Sequence, residues 1–165
     1  MKTVLQILFF LSFCCYGFSQ ENKAAFDCSK IEVIKDASGE ALHCTPIQEP
    51  VVFHKHIKKE ETLYRLYLRM HDVGEAYTAG QTGIILLLTQ NKSIVKSNVE
   101  VFISTPSGKT YSNALIRLNA SDIAKLKANG ITGFSLTQYG SVIPIKKGLD
   151  GTKYMEMLNC LLSKK

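Results

Sequence analysis

Thr62-Leu63-Tyr64-Arg65-Leu66-Tyr67-Leu68-Arg69-Met70 alternates without a break: Tyr64, Leu66, Leu68 and Met70 fall on one side of an extended chain, and Arg65, Tyr67 and Arg69 on the other. Successive side chains of a β-strand point to opposite faces, so this stretch predicts a half-buried strand with its aliphatic side inward. Working outward, His71 to Gln81 contains Asp72, Gly74, Ala79 and Gly80 and reads as a loop. Ile84-Ile85-Leu86-Leu87-Leu88 follows, apolar on both sides, which predicts a strand central in its sheet. Upstream, Val51 to His56 reads as a strand after the breaking Pro46 and Pro50, and Ile31–Asp36 with Glu40–Thr45 reads as a hairpin.

Two further hairpins lie downstream. Val99–Thr105 and Thr110–Leu118 flank the turn Pro106-Ser107-Gly108-Lys109. Pairing Thr105 with Thr110 sets Val99 opposite Ile116 and Val101 opposite Ala114, so the apolar sides match. Ile131–Gln138 and Ser141–Lys147 surround Tyr139-Gly140, with Phe134 and Leu136 expected opposite Ile145 and Ile143. Pro144 has no amide hydrogen and places that second strand at an edge.

Two helices complete the pattern. Asn119 caps the first, Asp122 sits in its first turn, Ile123 and Leu126 form its stripe, and Gly130 is expected to stop it. Leu149 to Leu162 is amphipathic, with Tyr154, Leu158 and Leu161 in line and Met157 and Leu162 beside them. These elements predict one α+β domain, mainly antiparallel sheet in a sandwich or barrel-like arrangement, with two helices packed on it.

The N-terminus carries a different message. Met1-Lys2-Thr3 brings one positive charge, Val4 to Phe13 is apolar apart from Gln6 and Ser12, and Gly17-Phe18-Ser19 supplies small residues for a peptidase. That is the pattern of a secretory signal peptide over residues 1–19. The apolar run is too short for the roughly 20 residues of a membrane-spanning helix. Cysteines suited to lipid attachment follow a small residue, whereas Cys14 follows Phe13 and Tyr16 succeeds Cys15. The mature chain, residues 20–165, is therefore expected to be a single soluble domain, secreted or periplasmic, with no transmembrane segment. Lys2 is the one charge in the signal, so cleavage takes the net charge of +6 to +5. The excess of Lys is dispersed, and it predicts no nucleic-acid partner.

Cys28, Cys44 and Cys160 remain after cleavage, which in an oxidising compartment suggests one bridge and one thiol. In a regular first hairpin Cys44 faces about Ile31 or Glu32, which leaves Cys28 about 10 Å along the strand at 3.3 Å per residue. A disulfide tolerates only about 7 Å between α-carbons. The expected bridge is therefore Cys28 to Cys160, with Cys44 buried and free. A catalytic role for Cys44 beside His43 is disfavoured, because adjacent residues on a strand point to opposite faces.

The run Asn119-Ala120-Ser121-Asp122-Ile123, Leu126, Ile131-Thr132-Gly133-Phe134, then a hairpin and a last helix with Asn159-Cys160-Leu161, resembles the C-terminal part of small secreted β-rich proteins of Gram-negative bacteria with no assigned function. A signal ending in Phe-Ser-Gln and an early Cys add to the likeness, which spans the signal and roughly residues 110–162. It implies a secreted antiparallel fold and carries no activity.

Motifs of chemistry are scarce. The sequence holds no Gly-rich phosphate loop, Gly-x-Ser-x-Gly elbow, His-Glu-x-x-His or Cys-x-x-Cys, and it asks for no cofactor. His54 and His56, two apart on a strand, could bind zinc with His71 as third ligand, although a solvated pair explains them as well. Asp72 and Glu75 around Gly74 could hold calcium or act as acid and base, but turn chemistry accounts for them equally. Arg65, Tyr67 and Arg69 share one strand face and could fork around a carboxylate or sulfate, although a polar strand face that simply meets water is the commoner explanation. The reading that follows is a non-catalytic binding module for a protein partner or cell-envelope component. Its alternative is an enzyme on an extracellular or envelope polymer, with a site assembled from distant residues.

Overall fold

The computed structural model describes residues 25–35, 37–38, 40–59, 61–71, 82–104 and 111–164. The signal peptide, the loop after His71 with Asp72 and Glu75, and the turn Pro106 to Lys109 lie outside the described residues. The chain is α+β, with ten strands in two antiparallel sheets and two α-helices among the described residues.

The first sheet has six strands. In spatial order they are β1 (Glu32–Lys35), β2 (Ala41–Cys44), β3 (Val51–Ile57), β4 (Thr62–His71), β8 (Tyr111–Leu118) and β7 (Glu100–Ser104). The second has four: β10 (Ser141–Lys147), β9 (Ile131–Gln138), β5 (Thr82–Leu88) and β6 (Ser93–Lys96). Each order has two end strands, so the sheets are open and form no closed barrel. Glu32 stands opposite Cys44, as the first hairpin requires, and Val101 opposite Ala114. Val99 departs from the expected pairing with Ile116. It precedes β7, and its amide donates to the Thr82 carbonyl at 2.9 Å, tying the start of one sheet's edge strand to the other sheet.

One core lies between the sheets. β4 sends Leu66, Leu68 and Met70 into it, β3 sends Val51 and Phe53, and β8 sends Ala114 and Ile116. From the other side come Ile84 and Leu86 of β5 with Phe134 and Leu136 of β9. Fully burying a side chain of this size contributes about 1.5–3 kcal/mol. β5 is an interior strand, flanked by β9 and β6, in keeping with its unbroken apolar run.

The last hairpin turns on Tyr139 and Gly140, both at positive φ (49° and 78°), which suits the right-handed twist of its strands. Ile143 faces Leu136 as expected, but a bulge between Pro144 and Lys146 puts Lys146, not Ile145, opposite Phe134. Pro144 stands opposite Ser135 but has no amide hydrogen to donate to a neighbour, and β10 duly runs along the edge.

α1 (Ala120–Ala128) begins with a reciprocal cap: the Asn119 side chain accepts from the Asp122 amide, and the Asp122 carboxylate accepts from the Asn119 amide, both at 2.9 Å. Its C-cap is Asn129 in extended conformation, so Gly130 is not the left-handed stop expected of it. Gly130 serves close approach instead. A Cβ there would lie 1.6 Å from the Gly151 carbonyl oxygen at the start of α2 (Gly151–Ser163).

α2 packs against both β3 and β9, with Tyr154, Met157, Leu158 and Leu161 buried. Cys160 on this helix is bonded to Cys28, Cα atoms 5.3 Å apart, and Cys44 is a buried free thiol. The bridge closes a loop of 132 residues, which stabilises the fold by something on the order of 4 kcal/mol through the unfolded chain. Lys55 is buried on the core side of β3, and its ammonium donates to the Lys164 carbonyl at the C-terminal end of α2, where a helix favours a cation. No helix among the described residues is long and apolar enough to cross a membrane.

Candidate functional site

Because Leu66, Leu68 and Met70 point inward, Arg65, Tyr67 and Arg69 must point out from the six-stranded sheet. The ladder decides what surrounds them. Val52 stands across from Tyr67 and His54 across from Arg65, while Asn113 stands across from both Arg69 and Phe102. These side chains share one face, and over it passes the β2–β3 connection carrying Ile47.

Together they form a shallow depression of about 270 Å³. Ile47, Val52, Tyr67 and Phe102 give it apolar walls, and His54, Arg69 and Asn113 supply its polar atoms. The His54 and Tyr67 rings lie 4.3 Å apart, tilted by 40°, and Phe102 meets Tyr67 edge-to-face at 6.2 Å. The Arg69 guanidinium sits 5.1 Å from the centre of the Tyr111 ring, a cation–π contact that steadies it without neutralising it.

The electrostatics are one-sided. Arg65 faces Arg117 across the β4–β8 ladder, a like-charge pairing that costs stability. Arg117 is relieved by Glu61 at 2.9 Å. Among the described residues neither Arg65 nor Arg69 has a carboxylate within ion-pair distance. Burial, and then the Arg65 charge, push the His54 imidazole down to about 4. It is therefore neutral near pH 7, able to donate one hydrogen bond and accept one. Beside it, burial and then the Glu32 charge push the Cys44 thiol up to about 11, so it stays protonated and unreactive.

The three predicted histidines do not converge. His54 stacks on Tyr67, whereas His56 pairs with Glu40 at 3.1 Å. His71 ends β4, six residues beyond Arg65, the partner of His54. That is about 20 Å along a strand. Among the described residues no three His, Cys, Asp or Glu side chains are placed to hold a metal ion.

Of the predicted anion-binding set, Tyr67 and Arg69 line the depression and Arg65 lies behind His54. Sequence reasoning missed Ile47, Val52, Phe102 and Asn113. A signal existed for two of them: the register that pairs Val101 with Ala114 also turns Phe102 and Asn113 to the opposite face, where a large aromatic residue has no core to fill. Comparison with protein families, curated proteins and solved structures finds no match to this chain.

Proposed function

We propose that this protein is a secreted or periplasmic, non-catalytic binding module that takes an anionic group of a partner or cell-envelope component on the outward face of its six-stranded sheet. The observation that carries this reading is the pair of guanidinium groups, Arg65 and Arg69, without carboxylate partners among the described residues, beside an aromatic depression. A guanidinium fork suits a carboxylate or sulfate, and aromatic walls suit the body attached to it.

Export is supported by the N-terminal pattern and by the Cys28–Cys160 bridge, since structural disulfides persist in oxidising compartments. N-terminal sequencing of the exported protein should begin at Gln20; a product that still begins at Met1 contradicts export with cleavage. Binding is tested by calorimetric titration of residues 20–165 with a panel of carboxylates and sulfates. A ligand whose affinity drops in both Arg69→Gln and Tyr67→Ala, with thermal midpoints unchanged, supports the site. A panel in which no compound responds to either substitution removes it.

A further inference from the structure

We propose that the group bound at the Tyr67–Arg69 depression is an acidic sugar, a uronic-acid residue within a glycan chain. This rests on the binding-module reading above and deepens it.

The interior of a sheet face offers no free backbone groups. β3, β4 and β8 are interior strands whose backbone amides and carbonyls are spent on their neighbours. A peptide laid on this face would find no backbone partners for its own amides, which is why extended peptides add to sheet edges instead. A sugar ring has a different demand. One of its faces is a patch of C–H groups, which packs on aromatic and aliphatic side chains, and its hydroxyls at the rim can remain in water.

The depression offers that combination. Tyr67, Phe102 and Val52 supply apolar surface, and the site is open, so the outer hydroxyls stay solvated. At about 270 Å³ it is at the lower limit of small-molecule pockets, the scale of one ring rather than of a long ligand enclosed. Neutral His54, on the lining, can exchange hydrogen bonds with hydroxyls, which are donors and acceptors at once, while the Asn113 side chain, whose amide nitrogen already donates to the Tyr111 carbonyl at 3.3 Å, adds polar surface. Arg69 then requires an acid on the ring, because its charge has no carboxylate partner among the described residues. Among the described residues the lining contains no Asp or Glu, so nothing there favours an amino group and a zwitterion gains nothing over a simple acid. The net charge of +5 left once Lys2 goes with the signal adds attraction at a distance for a chain that repeats the acid.

The experiment uses residues 20–165 and four probes: tetragalacturonate, its methyl ester, benzoate, and a tetrapeptide with a free C-terminal carboxylate. Tetragalacturonate should bind and the ester, which keeps the sugar rings but turns each carboxylate into an uncharged, slightly bulkier group, should bind about tenfold or more weakly. Arg69→Gln should weaken tetragalacturonate by a similar factor. Arg69→Lys, which keeps the charge but not the fork, should fall between and guards against a folding defect in the first variant. Equal binding of the ester overturns the proposal, as does preferential binding of the peptide. Binding of benzoate alone, with the same dependence on Arg69, overturns the sugar while leaving the anion site intact. No response from any probe in any variant overturns both.

Discussion

The two sheets share a core but turn unlike faces outward. The four-stranded sheet shows aliphatic side chains: Ile85 and Leu87 are half-buried, while Val95 and Val142 are 67% and 57% exposed. The six-stranded sheet shows Tyr67, Arg69, His54 and Phe102 around a concavity, with Arg65 across the ladder from His54. Exposed aliphatic surface is ordinary in folded proteins and says little by itself. Guanidinium groups without acidic neighbours among the described residues, held beside aromatic rings, are a costlier arrangement: Arg65 even tolerates Arg117 directly across the ladder. The difference teaches that chemical specificity, more than hydrophobicity, separates the face worth probing from the other.

The first way to test this contrast is to disturb both faces at once. Replacing Cys28 and Cys160 by Ser should destabilise the whole domain by something on the order of 4 kcal/mol in urea unfolding. A loss below about 1 kcal/mol would mean that the bridge does not constrain the unfolded chain as loop entropy requires. Next comes a change confined to one face. Arg69→Gln removes a half-buried side chain and its cation–π contact with Tyr111, so it should lower stability by no more than about 1 kcal/mol, while weakening an anionic ligand about tenfold or more. A large drop in thermal midpoint instead would make Arg69 a structural residue.

Acid offers a subtler probe of the same face. His54 titrates near 6.5 when unfolded and at about 4 when folded, so between those values the unfolded state binds more protons and stability falls as pH falls. His43, buried and also shifted down, first by burial and then by Lys55, acts in the same direction. His54→Gln should flatten the decline in thermal midpoint between pH 6.5 and 4, and an unchanged slope would assign the decline elsewhere. The smallest effect belongs to the other sheet. Val95→Lys and Val142→Lys should each change stability by no more than about 0.5 kcal/mol. They should also leave ligand affinity untouched, and altered affinity would break the contrast between the faces.

The sequence revealed the strands through their periods and the covalent link through arithmetic. Alternation in Thr62 to Met70 settled which residues face inward, because a slip by one would bury Arg65 and Arg69. Register in the first hairpin excluded Cys44 from the bridge. Other features depend on contacts far apart in the chain. Gly130 read as a helix stop because glycine favours left-handed turns, yet its position is required by the backbone of Gly151. The Pro144–Lys146 bulge, which displaces Ile145, has no period to announce it. His54 looked like half of a metal pair, since local spacing places it beside His56; only the β3–β4 ladder shows it stacked on Tyr67. The depression itself joins residues from 47 to 113, and no local pattern encodes that meeting.

Cys28 and Cys160 lie close to the two ends of the folded domain. Tension applied through residues outside that pair would travel along the sulfur–sulfur bond, past the ten strands, which would carry almost none of it. Anchored at one end and tugged at the other, the domain would act as an inextensible rivet, and its aromatic cleft would hold its shape under load.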